Sequence, residues 1–174
     1  MIRGAWLSAI LAAGLAAQPS AVWLDVPFVK QVENGCGSAA LAMTLQYWLG
    51  HGAALDPAFA DAVQIHAQLY SEPLHGIAAS AMQRYLEDHG FQALVFSGRW
   101  EDLGAHLAQG RPLIVALRSG RESHYVVLAG ISADTVAMND PADRRLRKIG
   151  RIEFEKKWRA AGNWTLLAVP RPRS

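Results

Sequence analysis

The sequence predicts a single α+β domain. Helical patterns crowd the first half of the chain, whereas runs of branched and aromatic residues bounded by turn residues crowd the second. Helices and strands do not alternate one for one, as a wound parallel sheet would require. Of the 174 residues, 51% are hydrophobic and 18% are charged. That balance suits one domain with a real core. A net charge of +2 is too small to argue for a nucleic-acid partner.

The elements follow in order. Asp25 to Gln31 reads as an extended leading strand, with Pro27 at its edge. Cys36 to Leu49 reads as a helix, because Leu41, Leu45, Trp48 and Leu49 recur at helical spacing and Gly50 ends it. Asn34 is positioned to cap its start. Asp56-Pro57 supplies a cap and first-turn pair for a second helix through about His66. Gly76 to Asp88 reads as a third helix, stopped by Gly90. Phe91 to Phe96 is a predicted strand. Glu101 to Gln109 is a short helix closed by Gly110 and Pro112. Leu113 to Leu117 is a strand rich in branched residues. Tyr125 to Ile131 and Thr135 to Asn139 form a predicted hairpin around Ser132-Ala133-Asp134. Phe154 to Ala160 is a short helix, and Trp164 to Val169 a last strand. Trp48, Trp100, Trp158 and Trp164 read as core residues.

Residues 1–21 read as a secretory signal peptide. Met1-Ile2-Arg3 supplies a short positive start, and Gly4 to Ala17 is apolar, small and free of acidic residues. The stretch is too short for a comfortable membrane span, and cleavage fits after Ala17 or Ala21. The alternative is an uncleaved anchor helix. The expected location of the mature chain, residues 22–174, is outside the cytoplasm, periplasmic or secreted.

Cys36 is the only cysteine, so the chain cannot form an intramolecular disulfide. It lies at a predicted helix start, where unpaired amides and the helix dipole favour a thiolate. Gly35 lets the backbone turn, and Gly37 and Ser38 leave room for a substrate. His124 heads a predicted strand and Asp140 ends the next one. A nucleophile, a distant base and a group to orient that base are what a thiol hydrolase needs.

Asp140 can orient His124 only if both side chains lie on one sheet face. A three-residue loop, Ser132 to Asp134, pairs Ile131 with Thr135. Counting back sets Asp140 opposite Val126, which shares a face with His124. A two- or four-residue loop shifts the parity, and Asp143 then becomes the rival partner. Read without catalysis, Cys36 is a buried inert thiol, His124 a surface histidine, and Asp140 a turn residue before Pro141. His51, His66, His75, His89 and His106 read as ordinary histidines. They lack metal-ligand spacing, so no metal and no organic cofactor is expected. The basic run Arg144-Arg145-Leu146-Arg147-Lys148 reads as a solvated loop or edge strand.

These residues resemble the papain-like cysteine peptidases of the bacteriocin-processing, double-glycine leader peptidase family. The resemblance runs from Leu24-Asp25-Val26-Pro27-Phe28 to Val169-Pro170. Its motifs are Gln31, Cys36-Gly37 opening a helix, His124-Tyr125-Val126-Val127, and Asn139-Asp140-Pro141. It implies a papain-like fold, with N-terminal helices packed on an antiparallel sheet. It implies Cys36 as nucleophile, His124 as base, Asp140 as the orienting carboxylate and Gln31 as a side-chain donor to the oxyanion. A peptide or protein is the implied partner. Two departures stand out. Gly35 occupies a position that is often acidic in the family, and the best-known members are fused to membrane transporters, which these residues do not include. An acyltransferase or amidase on the same triad, or a non-catalytic peptide-binding module, fits the same residues.

Overall fold

The computed structural model of the protein describes residues 21–120 and 122–172. All but the last residue of the expected signal peptide lies outside them. Seven strands form one antiparallel sheet: β1 (Val22–Trp23), β2 (Phe91–Ser97), β3 (Leu113–Ser119), β4 (Glu122–Ile131), β5 (Thr135–Asn139), β6 (Arg147–Gly150) and β7 (Trp164–Pro170). The order across it is β2-β7-β3-β4-β5-β6, and β1 pairs with the far end of β4. Five helices cover it: α1 (Cys36–Gly50), α2 (Ala62–Leu69), α3 (Ala79–Asp88), α4 (Trp100–Ala108) and α5 (Arg151–Ala160). Among the described residues no helix is long and apolar enough to cross a membrane.

The alternation of each strand sorts its side chains between two cores. Ile114, Val127, Ala129 and Leu166 face the N-terminal helices, where Leu41, Leu45, Ile65, Met82 and Leu86 bury their side chains. Val115, Val126, Leu128, Val136 and Met138 face the opposite way, onto Leu103 and Leu107 of α4 and Phe154 and Trp158 of α5. All four singled-out tryptophans join these two cores, Trp158 with only 2% of its surface exposed. Helix α1 is buried nearly all round, from Gly37 to Leu45. A helix so enclosed holds its N-terminus rigidly against the sheet.

The differences from the sequence expectations have local causes. The leading segment pairs as a strand only at Val22–Trp23; Asp25 to Gln31 is irregular. It is tied down by single bonds instead, from Leu24 N to Ala129 O and from Gln31 N to Pro141 O. The buried Asn139 amide adds two more, to Val26 O and Pro27 O. The second helix is divided. Asp56 caps a 3-10 turn at Pro57–Ala60, and extended Asp61 then caps α2 afresh through Gln64 N. Helix α3 begins three residues later than expected, because Gly76 is bridged to Ser71 across a tight loop. The basic run supplies β6, an edge strand, through Arg147 and Lys148.

Candidate active site

Cys36 is the first residue of α1 and is half-buried. The helix has no side-chain cap. Asn34, expected in that role, instead adopts a left-handed backbone with φ 55°, and Gly35 stands at the cap position. The first-turn amides therefore remain available to a negative charge. Gly35 is required by packing: a Cβ there would lie 2.9 Å from Val32 Cγ2 and 3.0 Å from the Val32 carbonyl oxygen. A larger residue before the cysteine, acidic or otherwise, would have to push Val32 aside.

His124 on β4 lines the same cleft as Cys36, and the two side chains shift each other's titration. On its other side, His124 Nε2 lies 2.7 Å from Asp140 Oδ1. This leaves Nδ1 for the thiol. Asp140 stands just past the end of β5 and is only 4% exposed. The same Oδ1 accepts a bond of 3.1 Å from Ala142 N, and Oδ2 accepts one of 2.8 Å from Arg147 Nη1. Every lone carboxylate edge thus has a donor, as burial of a charge demands.

The register that brings His124 and Asp140 together differs in detail from the expected hairpin. Ile131 pairs with Val136, not Thr135, so the connection is one residue longer than expected. That alone would turn Asp140 to the wrong face. A β-bulge between Leu128 and Gly130 shifts the register back, and Val127 pairs with Asn139. The next step along the strands sets Asp140 beside Val126, on the face of His124. Asp143 stays outside the contact, with its carboxylate 3.7 Å from Arg147 Nε.

The electrostatics favour a charged pair. Burial pushes the Cys36 thiol up, but His124 and the Tyr125 and Gly37 amides, with the His124 charge, bring it below that of an ordinary thiol. Burial pushes His124 down, yet its bonds to Asp140 and Cys36 and their charges raise it to about 9. Burial pushes Asp140 up, and His124, Arg147 and the Ala142 amide together hold it down at about 2. Near neutral pH His124 is protonated and Asp140 ionised, and the His124 charge biases Cys36 toward its thiolate.

Gln31 joins these residues in lining a cleft of about 1030 Å³. Its backbone is anchored to Pro141, the residue after Asp140. Its side-chain Oε1 is buried without a hydrogen-bond partner, and its amide bonds nothing else among the described residues. A side-chain amide with no partner in a cleft shared with Cys36 is available to a ligand.

The structure therefore gathers Cys36, His124, Asp140 and Gln31 at one cleft. Two further residues escaped the sequence reading. Arg147, read as part of a solvated basic run, binds Asp140 Oδ2 through its guanidinium. Asn139 was passed over beside Asp140; it is wholly buried and braces the segment that leads to Gln31. Alternation along β5 was the available signal, since it turns Asn139 and Asp140 to opposite faces. His75, read as ordinary, lines the cleft beside Leu74 from a left-handed backbone position with φ 46°. His51 and His89 are ordinary packing residues, His51 stacked on Tyr47 and His89 tilted against Tyr85. Among the described residues no group of three or more His, Cys, Asp or Glu is placed to hold a metal ion.

The chain is 28% identical over 149 residues to the lactococcin-G-processing and transport ATP-binding protein LagD of Lactococcus lactis subsp. lactis. The match takes in 83% of this chain but 18% of that relative, so the chain spans only a small part of its length. A C39-like peptidase structure from Bacillus anthracis superposes with a TM-score of 0.68 at 21% identity, covering 88% of this chain and 99% of that one. A double-glycine motif protease from an AMS/PCAT transporter, in complex with a leader peptide, gives 0.65 at 24% identity, covering 86% and 94%. The peptidase domain of Streptococcus ComA gives 0.65 at 18% identity, covering 82% and 97%. These structures share the fold. The model of the peptidase C39-like family matches residues 23–166, and the chain belongs to that family of peptidases.

Proposed function

We propose that this protein is a papain-like cysteine peptidase that cleaves peptide bonds through Cys36, His124 and Asp140, with Gln31 as oxyanion donor. The observation that carries the reading is the contact chain from Cys36 through His124 to Asp140, with His124 Nε2 and Asp140 Oδ1 at 2.7 Å.

In the proposed reaction the Cys36 thiolate attacks the carbonyl carbon of the scissile bond. The oxyanion that forms receives the Gln31 amide and the Cys36 backbone N–H. Imidazolium His124 gives its proton to the leaving amine as the C–N bond breaks, leaving a thioester on Cys36. Neutral His124 then takes a proton from water, and the hydroxide oxygen attacks the thioester carbonyl. The carboxylic acid departs and the proton returns to the thiol–imidazole pair.

Two expected results follow from this chemistry. Gln31→Ala should lower kcat by about 10²–10³-fold while KM stays nearly constant, because the donor acts on charge that appears only in the transition state. Steady-state kinetics check it; an equal rise in KM with unchanged kcat would mean that Gln31 only binds substrate. Hydrolysis should fall as the pH rises through about 9, because His124 then loses the proton it donates. It should also fall on the acid side, as the thiolate takes up a proton below its lowered pKa. A pH–rate profile with no loss near 9 would argue against His124 as the proton donor.

The substrate proposed is a peptide with a double-glycine leader. The support is the family membership and the leader peptide bound to one structural relative. We further propose that the chain works outside the cytoplasm after loss of residues 1–21. The support is the Arg3-led apolar segment. N-terminal sequencing of native protein tests the location: an intact Met1 on cytoplasmic material would sink it. The substrate is tested by comparing exported peptides from cells holding native protein or Cys36→Ala. Loss of mature peptides that begin just after paired glycines is the supporting outcome; identical peptide sets would rule out that substrate.

A further inference from the structure

We propose that Arg147 is a positioning residue of this site, whose guanidinium holds the Asp140 carboxylate turned toward His124. The inference rests on the reading of Cys36, His124 and Asp140 as one catalytic set, and adds to it a residue from a different strand.

The geometry is specific. Arg147 opens β6 and pairs in register with Met138 on β5, two residues before Asp140. The intervening turn is closed by its own bonds. Asp140 N donates to Arg144 O, Asp143 N donates to Asp140 O, and Leu146 N donates to the buried Asn139 Oδ1. Both ends of the turn are therefore held, and Arg147 cannot drift from Asp140 without breaking the β5–β6 ladder. Its Nη1 lies 2.8 Å from Asp140 Oδ2, and its Nε faces Asp143 Oδ2 at 3.7 Å.

Oδ2 has no other donor among the described residues. Oδ1 is already taken by His124 Nε2 and Ala142 N. Without Arg147, a carboxylate only 4% exposed would keep one dry oxygen with no partner. An unpaired buried charge is strongly unfavourable, so the group would rotate or take a proton. Either response withdraws the acceptor that orients the imidazole. An arginine suits the task because its planar fork keeps its charge at every working pH and fixes direction as well as attraction. Arg147 also helps hold the Asp140 carboxyl well below its ordinary range. The charged groups nearest this carboxylate are His124, Arg147 and, through Arg147, Asp143.

The test uses the full chain and reads Cys36 directly, by its alkylation rate with iodoacetamide between pH 4 and 10. Native protein is compared with Arg147→Met, Arg147→Lys, Asp140→Ala and the Asp140→Ala/Arg147→Met double variant. Peptide hydrolysis is measured in parallel. Arg147→Met should move the acid limb of the alkylation profile toward that of an ordinary thiol. It should lower kcat by about tenfold or more with KM changed by less than about threefold, the signature of lost positioning. Arg147→Lys should recover part of both, since a charge remains but the fork does not. In the Asp140→Ala background, Arg147→Met should add nothing, because its effect passes through Asp140. A native profile and kcat in Arg147→Met would overturn the proposal, as would losses that multiply in the double variant. If hydrolysis proves independent of Cys36, the peptidase reading fails, yet the alkylation profiles still decide the role of Arg147.

Discussion

Cys36→Ala is expected to abolish turnover while leaving the fold intact. The substitution removes one sulfur from a half-buried position at the start of α1. The helix behind it is enclosed from Gly37 to Leu45, and none of that packing depends on the thiol. Alanine is also the best helix former, so the first turn loses nothing locally. Removing a nucleophile from a coupled site costs about six powers of ten in the best-studied hydrolases. The measurement is hydrolysis beside matched circular dichroism. A native spectrum with unchanged hydrolysis would remove Cys36 from the mechanism. The variant should also retain substrate, since the cleft, Gln31 and Asp140 remain.

The Asp140 series carries the second-largest effect. Asp140→Ala should lower kcat by about 10²–10⁴-fold, the range spanned by general acid–base catalysis. It frees the His124 ring to rotate and leaves Arg147 facing an empty site. Asp140→Asn should fall between native and alanine. Its carbonyl can still accept from His124 Nε2, but its amide then meets the Arg147 guanidinium, donor against donor. Asp143→Ala should be nearly silent, because that carboxylate is 45% exposed and pairs loosely with Arg144 and the outer side of Arg147. Kinetics on the three variants decide the assignment. If Asp143→Ala is crippled and Asp140→Ala is not, the partner of His124 in solution is Asp143, and the β4–β5 register is not the one described.

Much of the fold was legible because its signals are local. Helical spacing of Leu41, Leu45 and Trp48 marked α1, and Gly90 and Gly110 marked the ends of α3 and α4 with positive φ of 87° and 71°. Branched runs marked β3, β4 and β7. The errors arose where one residue overrode a pattern. Asp61 divided a predicted helix by capping a second one, and the Asn139 side chain took over bonds that a regular strand would have made for Val26 and Pro27. A strand expectation cannot anticipate a side chain from more than a hundred residues away.

The site follows the same division. The sequence by itself singled out the candidate groups: one thiol at a helix start, a histidine entering an apolar strand, an aspartate closing the next strand and, through the family resemblance, a glutamine shortly before the thiol. Those are properties of residue type and order, and local physics acts on them directly. Only the tertiary structure decided how they meet. The expected loop length was short by one residue, and the Asp140–His124 contact exists because a bulge at Ala129 restores the parity that the longer loop removes. The sequence marks a bulge poorly, since its cost and gain lie in pairing with another strand. Arg147 was unreadable for the same reason. In sequence it is one base among four in a five-residue run; in the sheet, cross-strand register delivers it alone to a buried carboxylate. Electrostatic partners of this kind are chosen by distance in three dimensions, and a charge shows its partner only after the backbone has brought the two within reach.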